Sequence, residues 1–455
     1  MFTLVKMDLK QRLKSSLTWF VILILFMMSM LNIIETKDKR LNRSFEGHDV
    51  YDFVRGELWD WTYHWGKVYG EREMKLYPKA YYSESMLNKV QEDLRKTNEE
   101  NDVKEITRLM SFHSLLYIKL NLKLEEDPIM SKVFEKKILK IWDDVSNGIP
   151  YDDIEFMPFT EVDYGWTNYW IVSAKYHHQL YINDMEPVYS DEVNNITYLY
   201  EYFFNILTKL IILVPILFIY NSINKEKNMG SLKLVLTQSI SRWKYYIGKW
   251  ISGVIHIIFT LFLPAAVISI FLGFANGFVS FKYPTIYLRN SMTSFKTIPN
   301  YFDTITMQRG RYPRFGYYDS IFSYIPPKYN YIWNNIDPNE RVDIIPFYKY
   351  LLMVVLLTIL FIAFVVALTQ LISAIINNEI ISFVAVAGVF AIGTLISSPF
   401  KYDKHLNLSP FTMEHASRIV IGTYNVTALG STFILSASAI LLLTAGIIYF
   451  KRKEI

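Results

Sequence analysis

Residues 347–397 read FYKYLLMVVLLTILFIAFVVALTQLISAIINNEIISFVAVAGVFAIGTLIS, and this stretch carries only two charged side chains, Lys349 and Glu379. An apolar run of about 20 residues matches the thickness of the hydrocarbon core of a bilayer. The polar turn Asn377-Asn378-Glu379 divides the stretch into two such runs, residues 347–372 and 380–397. We therefore predict two membrane-spanning helices joined by a tight turn.

Four further apolar runs occur in the 455-residue chain, at residues 17–34, 202–222, 251–274 and 431–450. The composition agrees with a membrane protein, because 51% of the residues are hydrophobic and the 20% that are charged lie mostly between the runs. No cysteine is present, which excludes disulfides and thiolate metal sites. The formal net charge of +4 is small and gives no information about nucleic acid. We expect no nucleic-acid partner for this membrane protein.

The pattern predicts an all-α membrane protein with six transmembrane helices and a mainly helical extracellular domain between the first two. Residues 83–96 and 103–124 of that domain show apolar residues at helical spacing. The predicted units are an interfacial amphipathic helix (1–16), span 1 (17–34), the extracellular domain (35–200), span 2 (202–222), a cytoplasmic loop with a coupling helix (223–250), span 3 (251–274), an extracellular loop (275–346), spans 4 and 5 (347–372 and 380–397), a second extracellular loop (398–429), span 6 (431–450) and a cytoplasmic tail (451–455).

Basic residues near the span ends set the predicted orientation. The amino-terminal arm carries four, residues 223–250 carry six against one acid, and the tail carries three. With six spans these segments share one side, so both termini are predicted to be cytoplasmic, in a bacterial plasma membrane. A cleaved signal peptide is the alternative for residues 17–34, but the small residues of a cleavage site are missing.

The loop at residues 224–250 reads NKEKNMGSLKLVLTQSISRWKYYIGKW. It contains a patterned apolar run, unlike a plain hydrophilic loop. Its apolar residues predict a short amphipathic helix between two basic flanks, at the membrane surface. Such a helix can dock on a soluble partner and transmit the partner's movement to the adjacent spans. An ordinary interfacial helix is the alternative interpretation.

This loop resembles the first cytoplasmic loop of type-2 ATP-binding-cassette permeases, the membrane subunits of many prokaryotic exporters. The resemblance includes an acid, a Gly-Ser-Leu turn, an apolar run, a Ser-Ile-Ser-Arg turn and the Gly248-Lys249 pair. Leu408-Ser409-Pro410-Phe411 and the ending at residues 450–455 are similar to the same family. The implied ATPase-docking residues are Glu226, Gly230, Ser231, Leu232, Leu234, Val235, Leu236, Ser239 and Arg242.

The resemblance implies that two ATPase subunits dock on the coupling helix and that a second permease subunit, the same or related, completes the transporter. This chain has no Gly-x-x-x-x-Gly-Lys-[Ser/Thr] stretch to cradle phosphates, so we expect no enzyme activity and no cofactor of its own. ATP and Mg would bind to the partner ATPase. We expect no metal site, because adjacent residues such as His177 and His178 point in two directions.

Three polar residues of the predicted spans are candidates for the cargo pathway: Lys209, His256 and Gln370. Lys209 has a second interpretation, because a lysine close to the outer interface can extend its ammonium to the headgroups. His256 can equally be a polar residue that faces the helix bundle. No acid lies inside the predicted spans, which argues against coupling to an ion gradient and for a hydrophobic or amphipathic cargo.

The leading hypothesis is the membrane subunit of an ATP-driven exporter for a peptide, lipid or drug. The alternative is a non-transporting scaffold or receptor whose extracellular domain binds a partner. A membrane-embedded enzyme ranks third, because the sequence has no catalytic constellation.

Overall fold

A computed structural model describes residues 1–45, 86, 89–94, 96–97, 100, 102–121, 138–153, 174–186, 188, 193–230, 241–288, 342–396, 408–421 and 426–452. These ranges contain six apolar helical segments and the short elements at their ends. Span 1 is preceded by helix α1 (Phe2–Leu13) and lies in helix α2 (Ser16–Phe45). The two helices are separated by Lys14 and Ser15, and the hydroxyl of Thr18 donates a hydrogen bond to the carbonyl of Arg12 at 2.8 Å.

The segment between spans 1 and 2 contains helix α3 (Val103–Asn121) and helical residues 138–145 and 174–182. Their apolar faces form a hydrophobic core of their own, which includes Leu115, Leu116, Trp142 and Val145. Trp142 is buried and donates its indole proton to the carbonyl of Ile149 at 2.7 Å. Within its described residues this segment is therefore a helical unit with its own core.

Span 2 is a broken helix. It comprises α4 (Asn195–Glu201), a π-helical turn (Tyr202–Ile206), α5 (Leu207–Leu210), α6 (Leu213–Ile219) and α7 (Asn224–Asn228). A capping box formed by Asn194 and Thr197 starts it. The halves Asn195–Leu210 and Leu213–Asn228 differ in direction by 48°. Pro215 explains the break, because it has no amide proton for the carbonyl of Ile211, four residues earlier.

The other spans are continuous helices. Span 3 is α8 (Arg242–Asn276), span 4 is α9 (Phe347–Ile375), span 5 is α10 (Glu379–Ile396), and span 6 is α12 (Ala428–Arg452), preceded by the short α11 (Ala416–Ile421). Strands β1 (Pro284–Leu288) and β2 (Val342–Pro346) pair antiparallel, with Pro284 opposite Pro346. This two-stranded ladder joins the ends of the long segment between spans 3 and 4.

The core of the bundle lies along α9, whose central residues are buried on all sides by α8, α6 and α12. By contrast, α10 and the first half of α2 expose apolar faces, with Ile380, Val384, Ile392 and Leu395 among the exposed residues of α10. Helix α1 and the last turn of α12 lie at the same end of the bundle, which we call the terminal end. The end that carries β1 and β2 is called the distal end.

The predicted fold class is confirmed, because the described residues are overwhelmingly helical and hold five or six helices able to cross a membrane. The boundaries differ in detail. The helix of span 2 begins at Asn195, seven residues before the predicted Tyr202, which brings Glu201 inside it. Helix α8 begins at Arg242, nine residues before the predicted start of span 3.

Candidate functional site

A buried network of charged side chains joins three elements at the terminal end. Asp8 of α1 is 8% exposed and accepts hydrogen bonds from Arg12 Nε at 2.7 Å and from Lys249 Nζ at 2.5 Å. Lys249 also donates a hydrogen bond to Glu226 of α7, and Glu226 accepts a second hydrogen bond from the hydroxyl of Tyr245. We call Asp8, Arg12, Glu226, Tyr245, Lys249 and Ser252 the Asp8 network.

The charges of the network balance, because two carboxylates face one guanidinium and one ammonium. Burial would by itself raise the pKa of Asp8, but the positive charges of Arg12 and Lys249 lower it from 3.8 to about 2. Asp8 is therefore ionised at any physiological pH. Such a balanced network contributes little net stability, whereas loss of one member leaves an unpaired buried charge.

Gly248 lets α1 come close enough for this contact. A Cβ atom at Gly248 would lie 2.7 Å from Leu4 Cδ2 of α1. The next residue, Lys249, supplies the ammonium for Asp8. The Gly-Lys pair of the loop motif thus has two physical roles, close helix approach and ion pairing.

The first flank of the predicted coupling helix contacts the turn between spans 4 and 5. Lys227 Nζ donates to Asn377 Oδ1 at 2.6 Å, and Asn228 Nδ2 donates to Glu379 Oε1 at 3.3 Å. Helix α7 ends at Asn228, and Gly230, two residues later, has a φ of +71°, a left-handed conformation that favours glycine. The glycine of the Gly-Ser-Leu turn is therefore a helix terminator.

The second flank contacts the end of span 6. Arg242 Nη1 donates to the carbonyl of Lys451 at 3.3 Å. Phe450 stacks on Tyr245 with ring centroids 5.8 Å apart. The aromatic and basic ending of the chain thus packs beside the Asp8 network.

Of the predicted coupling helix, residues 228–239, Asn228 is the last residue of α7, and residues 231–239 lie outside the described residues. Ser231, Leu232, Leu234, Val235, Leu236 and Ser239 fall in this segment. Of the predicted docking residues, Glu226, Gly230 and Arg242 are described, and they lie at its two ends.

The three candidate residues of the cargo pathway do not meet. His256 is buried on α8, 3.0 Å from the hydroxyl of Thr18, with its ring edge-on to Phe218. Gln370 is buried on α9 and donates to the carbonyl of Tyr246 at 2.9 Å. Lys209 is exposed on span 2. The first two join helices within the bundle, and only Lys209 points out of it.

Sequence reasoning did not identify Asp8, Thr18 or Ser252 as site residues. Asp8 stands among Lys6, Lys10, Arg12 and Lys14, so it resembles an ordinary surface acid. One signal was available, since Asp8 is the only acid in the first 34 residues. Its partner Lys249 lies 241 residues away in sequence.

No group of three or more metal-ligating side chains occurs in the part of the chain that the structure describes. His178 pairs with Asp144 at 2.8 Å. At the terminal end, the flanks of the loop contact α1, the turn between spans 4 and 5, and the end of span 6.

Comparison with known proteins gives one family. The profile of the ABC-2 family transporter protein matches residues 2–282, which include α1, the first three spans and the loop between spans 2 and 3. No curated protein matches the chain. Members of this family are membrane subunits that work with separate ATPase subunits. The chain belongs to the ABC-2 transporter family, and it is a multi-pass membrane subunit of an ATP-binding-cassette transporter.

Proposed function

We propose that this subunit exports a hydrophobic or amphipathic cargo from a bacterial cell, and that the predicted coupling segment, residues 228–239, is where the ATPase docks. One observation carries the proposal. The two flanks of this segment contact α1 through Lys249, the turn between spans 4 and 5 through Lys227, and the end of span 6 through Arg242. A displacement of the segment would therefore reach α1, the turn between spans 4 and 5, and the end of span 6.

The mechanism follows from these contacts. ATP and Mg bind to two ATPase subunits, whose approach moves the coupling helix and its flanks as one lever. Buried ion pairs transmit such a movement well, because separating Asp8 from Lys249 would leave charges unpaired in a poorly hydrated site. The spans then repack against those of a second permease subunit, the same or related. The cargo leaves on the distal side, past the predicted extracellular domain.

The orientation rests on the basic residues of the terminal end, which the positive-inside rule assigns to the cytoplasm. Lys225, Lys227, Lys244, Lys451 and Arg452 all lie there. An ATPase that hydrolyses cytoplasmic ATP must reach the same side. The position of the coupling segment and the distribution of charge thus support one topology.

Copurification of the ATPase tests the docking step. The substitutions Leu232→Asp and Leu236→Asp place charge on the predicted apolar face, and we expect them to abolish copurification and cargo-stimulated ATP hydrolysis. Met7→Asp is the control, because Met7 is an exposed apolar residue at the same end but outside the loop. Unchanged copurification of the Leu232 and Leu236 variants, or a chain that purifies without any ATPase, would favour the scaffold or receptor hypothesis.

A further inference from the structure

Lys209 is an exposed cation on a membrane-spanning segment. It follows the π-helical turn of span 2 and precedes the 48° bend by one residue. No hydrogen bond or ion pair of its ammonium occurs within the described ranges. Leu213, four residues further on, is 46% exposed, so the described part of the subunit leaves this surface of span 2 uncovered.

Contacts with α8 place Lys209 near the middle of the membrane. On one side of it in sequence, the hydroxyl of Tyr202 donates to the carbonyl of Leu261. On the other side, Phe218 packs against His256. Residues 256 and 261 lie 7 and 12 residues after Lys249 of the Asp8 network, or about 10 to 18 Å along the helix. The hydrocarbon core is about 30 Å thick. With Lys249 at its inner edge, residues 256 to 261 of α8, and Lys209 beside them, lie in the central third of the core.

Extension to the headgroups cannot satisfy Lys209 at this depth. The stem of a lysine extends about 6 Å, which is less than half of the distance of about 15 Å from the midplane to either interface. Lys209 also lies 14 residues, about four turns, after the start of α4. An ammonium exposed to lipid tails there would cost several kcal/mol on insertion scales. The side chain therefore needs an anion or water.

The helix around Lys209 is polar and irregular. Asn205 donates its amide proton to Glu201, and the hydroxyl of Thr208 bonds to the carbonyl of Asn205 at 3.0 Å. Glu201, Asn205 and Thr208 are all partly exposed. Irregular turns in membrane helices are tolerated where they line a cavity, and π-helical turns occur frequently at functional sites.

We propose that Lys209 binds the anionic headgroup of an amphipathic cargo, whose apolar tail lies along Leu213 and the bent half of span 2. This inference rests on the proposed transport function and specifies its substrate class. A second copy of the chain is a poorer occupant of this point, because an isologous contact centred on Lys209 would bring two ammonium groups together. An anion between two copies would neutralise both.

Binding of a charged and an uncharged probe to the full chain tests the proposal. Because the chain has no cysteine, Leu213→Cys offers a single site for a polarity-sensitive fluorophore in lipid nanodiscs. We expect palmitate to bind at least tenfold more tightly than palmitamide, which has the same tail and no charge. Lys209→Gln should weaken palmitate binding about tenfold, the size of one charge-assisted hydrogen bond. Lys209→Arg should retain the preference.

Lys349→Gln is the matched control, because Lys349 is also an exposed lysine on a spanning helix, at its distal end. Equal affinity for the two probes, or unchanged palmitate binding by Lys209→Gln, would overturn the proposal. A Lys209→Gln variant that changes oligomeric state rather than palmitate binding would assign the residue to a subunit contact instead. Binding is measured without the ATPase, so Leu232→Asp should leave it unchanged and Lys209→Gln should leave ATPase copurification unchanged. Palmitate binding and ATPase copurification thus report separately on the cargo site and on the docking segment.

Discussion

Asp8 has two cationic partners, one on its own helix and one at the start of span 3. Replacing a buried carboxylate by an amide of the same shape removes the charge and keeps the volume. Asp8→Asn leaves Glu226 as the only anion of the Asp8 network, and Glu226 contacts Lys249 but not Arg12. We expect a loss of about 3 to 5 kcal/mol of stability, as for other broken buried pairs. Thermal unfolding of the purified chain in a non-ionic detergent measures it.

The pH dependence gives this prediction a second readout. Since the pKa of Asp8 is lowered to about 2 in the folded chain, its carboxylate stabilises the fold at every pH above the unfolded value of about 3.9. That contribution is lost as pH falls from about 4 through 2. The difference in melting temperature between the original chain and Asp8→Asn should be constant from pH 8 to 5 and should shrink below pH 4. A constant difference down to pH 2 would contradict the role given to the charge.

The Asp8 network shows how far single residues could be interpreted from sequence. Glu226 and Gly248-Lys249 were named from the sequence because they belong to a local motif with fixed spacing, but as parts of an ATPase-docking loop and not as members of a buried ion-pair network. Asp8 was not found, because its role depends on a helix that folds back over a distant span. His256 and Gln370 were named from the sequence as candidates for the cargo pathway, and the structure gives their partners, Thr18 and Tyr246.

At the scale of elements, the sequence contained the cause of the bend in span 2 but not its size. Pro215 identifies a helix that loses one hydrogen bond, whereas the 48° angle depends on how α6 packs against α9. The π-helical turn at Tyr202–Ile206 has no comparable local signal. The six apolar runs could be identified in the sequence because a bilayer imposes their length and composition.

Pro215→Ala tests whether the bend is part of the mechanism. Alanine restores the missing amide proton, so we expect a straighter span 2 and a stability that is unchanged or higher by up to about 3 kcal/mol, the helix cost of proline. Distances between spin labels at cysteines introduced for Asn195 and Leu213 report the straightening. If the bend opens the surface around Lys209, palmitate binding should weaken as well. A straightened helix with full palmitate binding would separate the bend from the cargo site.

Close packing of spans 3 and 6 gives a prediction with an internal control. A Cβ atom at Gly446 of α12 would clash with the ring and hydroxyl of Tyr246, which is buried on α8. We expect Gly446→Ala to cost about 1 to 3 kcal/mol by overpacking. At Gly388 of α10 nothing lies within 4 Å of the same position, so Gly388→Ala should be neutral or stabilising by up to about 1 kcal/mol. Equal melting temperatures of the two variants would contradict this packing.

At the scale of the whole molecule, the two ends of the bundle are held in different ways. The terminal end is joined by ion pairs, and the distal end by aromatic and hydroxyl contacts. There Tyr283, just before β1, bonds to Tyr176 at 2.8 Å and accepts the amide proton of Val188 at 2.7 Å. These contacts attach the large segment between spans 1 and 2 to the start of span 4, since Phe347 donates its amide proton to the carbonyl of Tyr283. Movement of spans 3 and 4 therefore reaches that segment directly.

If the coupling segment and its flanks move together with the turn between spans 4 and 5, a covalent link between the flank and that turn should not stop the transport cycle. With cysteines introduced for Lys227 and Asn377, whose side chains lie 2.6 Å apart, a short bifunctional thiol reagent ties the coupling flank to the turn between spans 4 and 5. We expect cargo-stimulated ATP hydrolysis to persist after this cross-link, because the contact is retained as the lever moves. Lys227→Ala, which breaks the contact without replacing it, should instead reduce stimulation severalfold while leaving basal hydrolysis unchanged. The uncross-linked double-cysteine chain is the control for the substitutions themselves. Cross-linking that stops hydrolysis, and recovers when the reagent is cleaved by a reductant, would show that the flank slides over the spans 4 and 5 turn during the cycle, and the rigid lever would have to be abandoned.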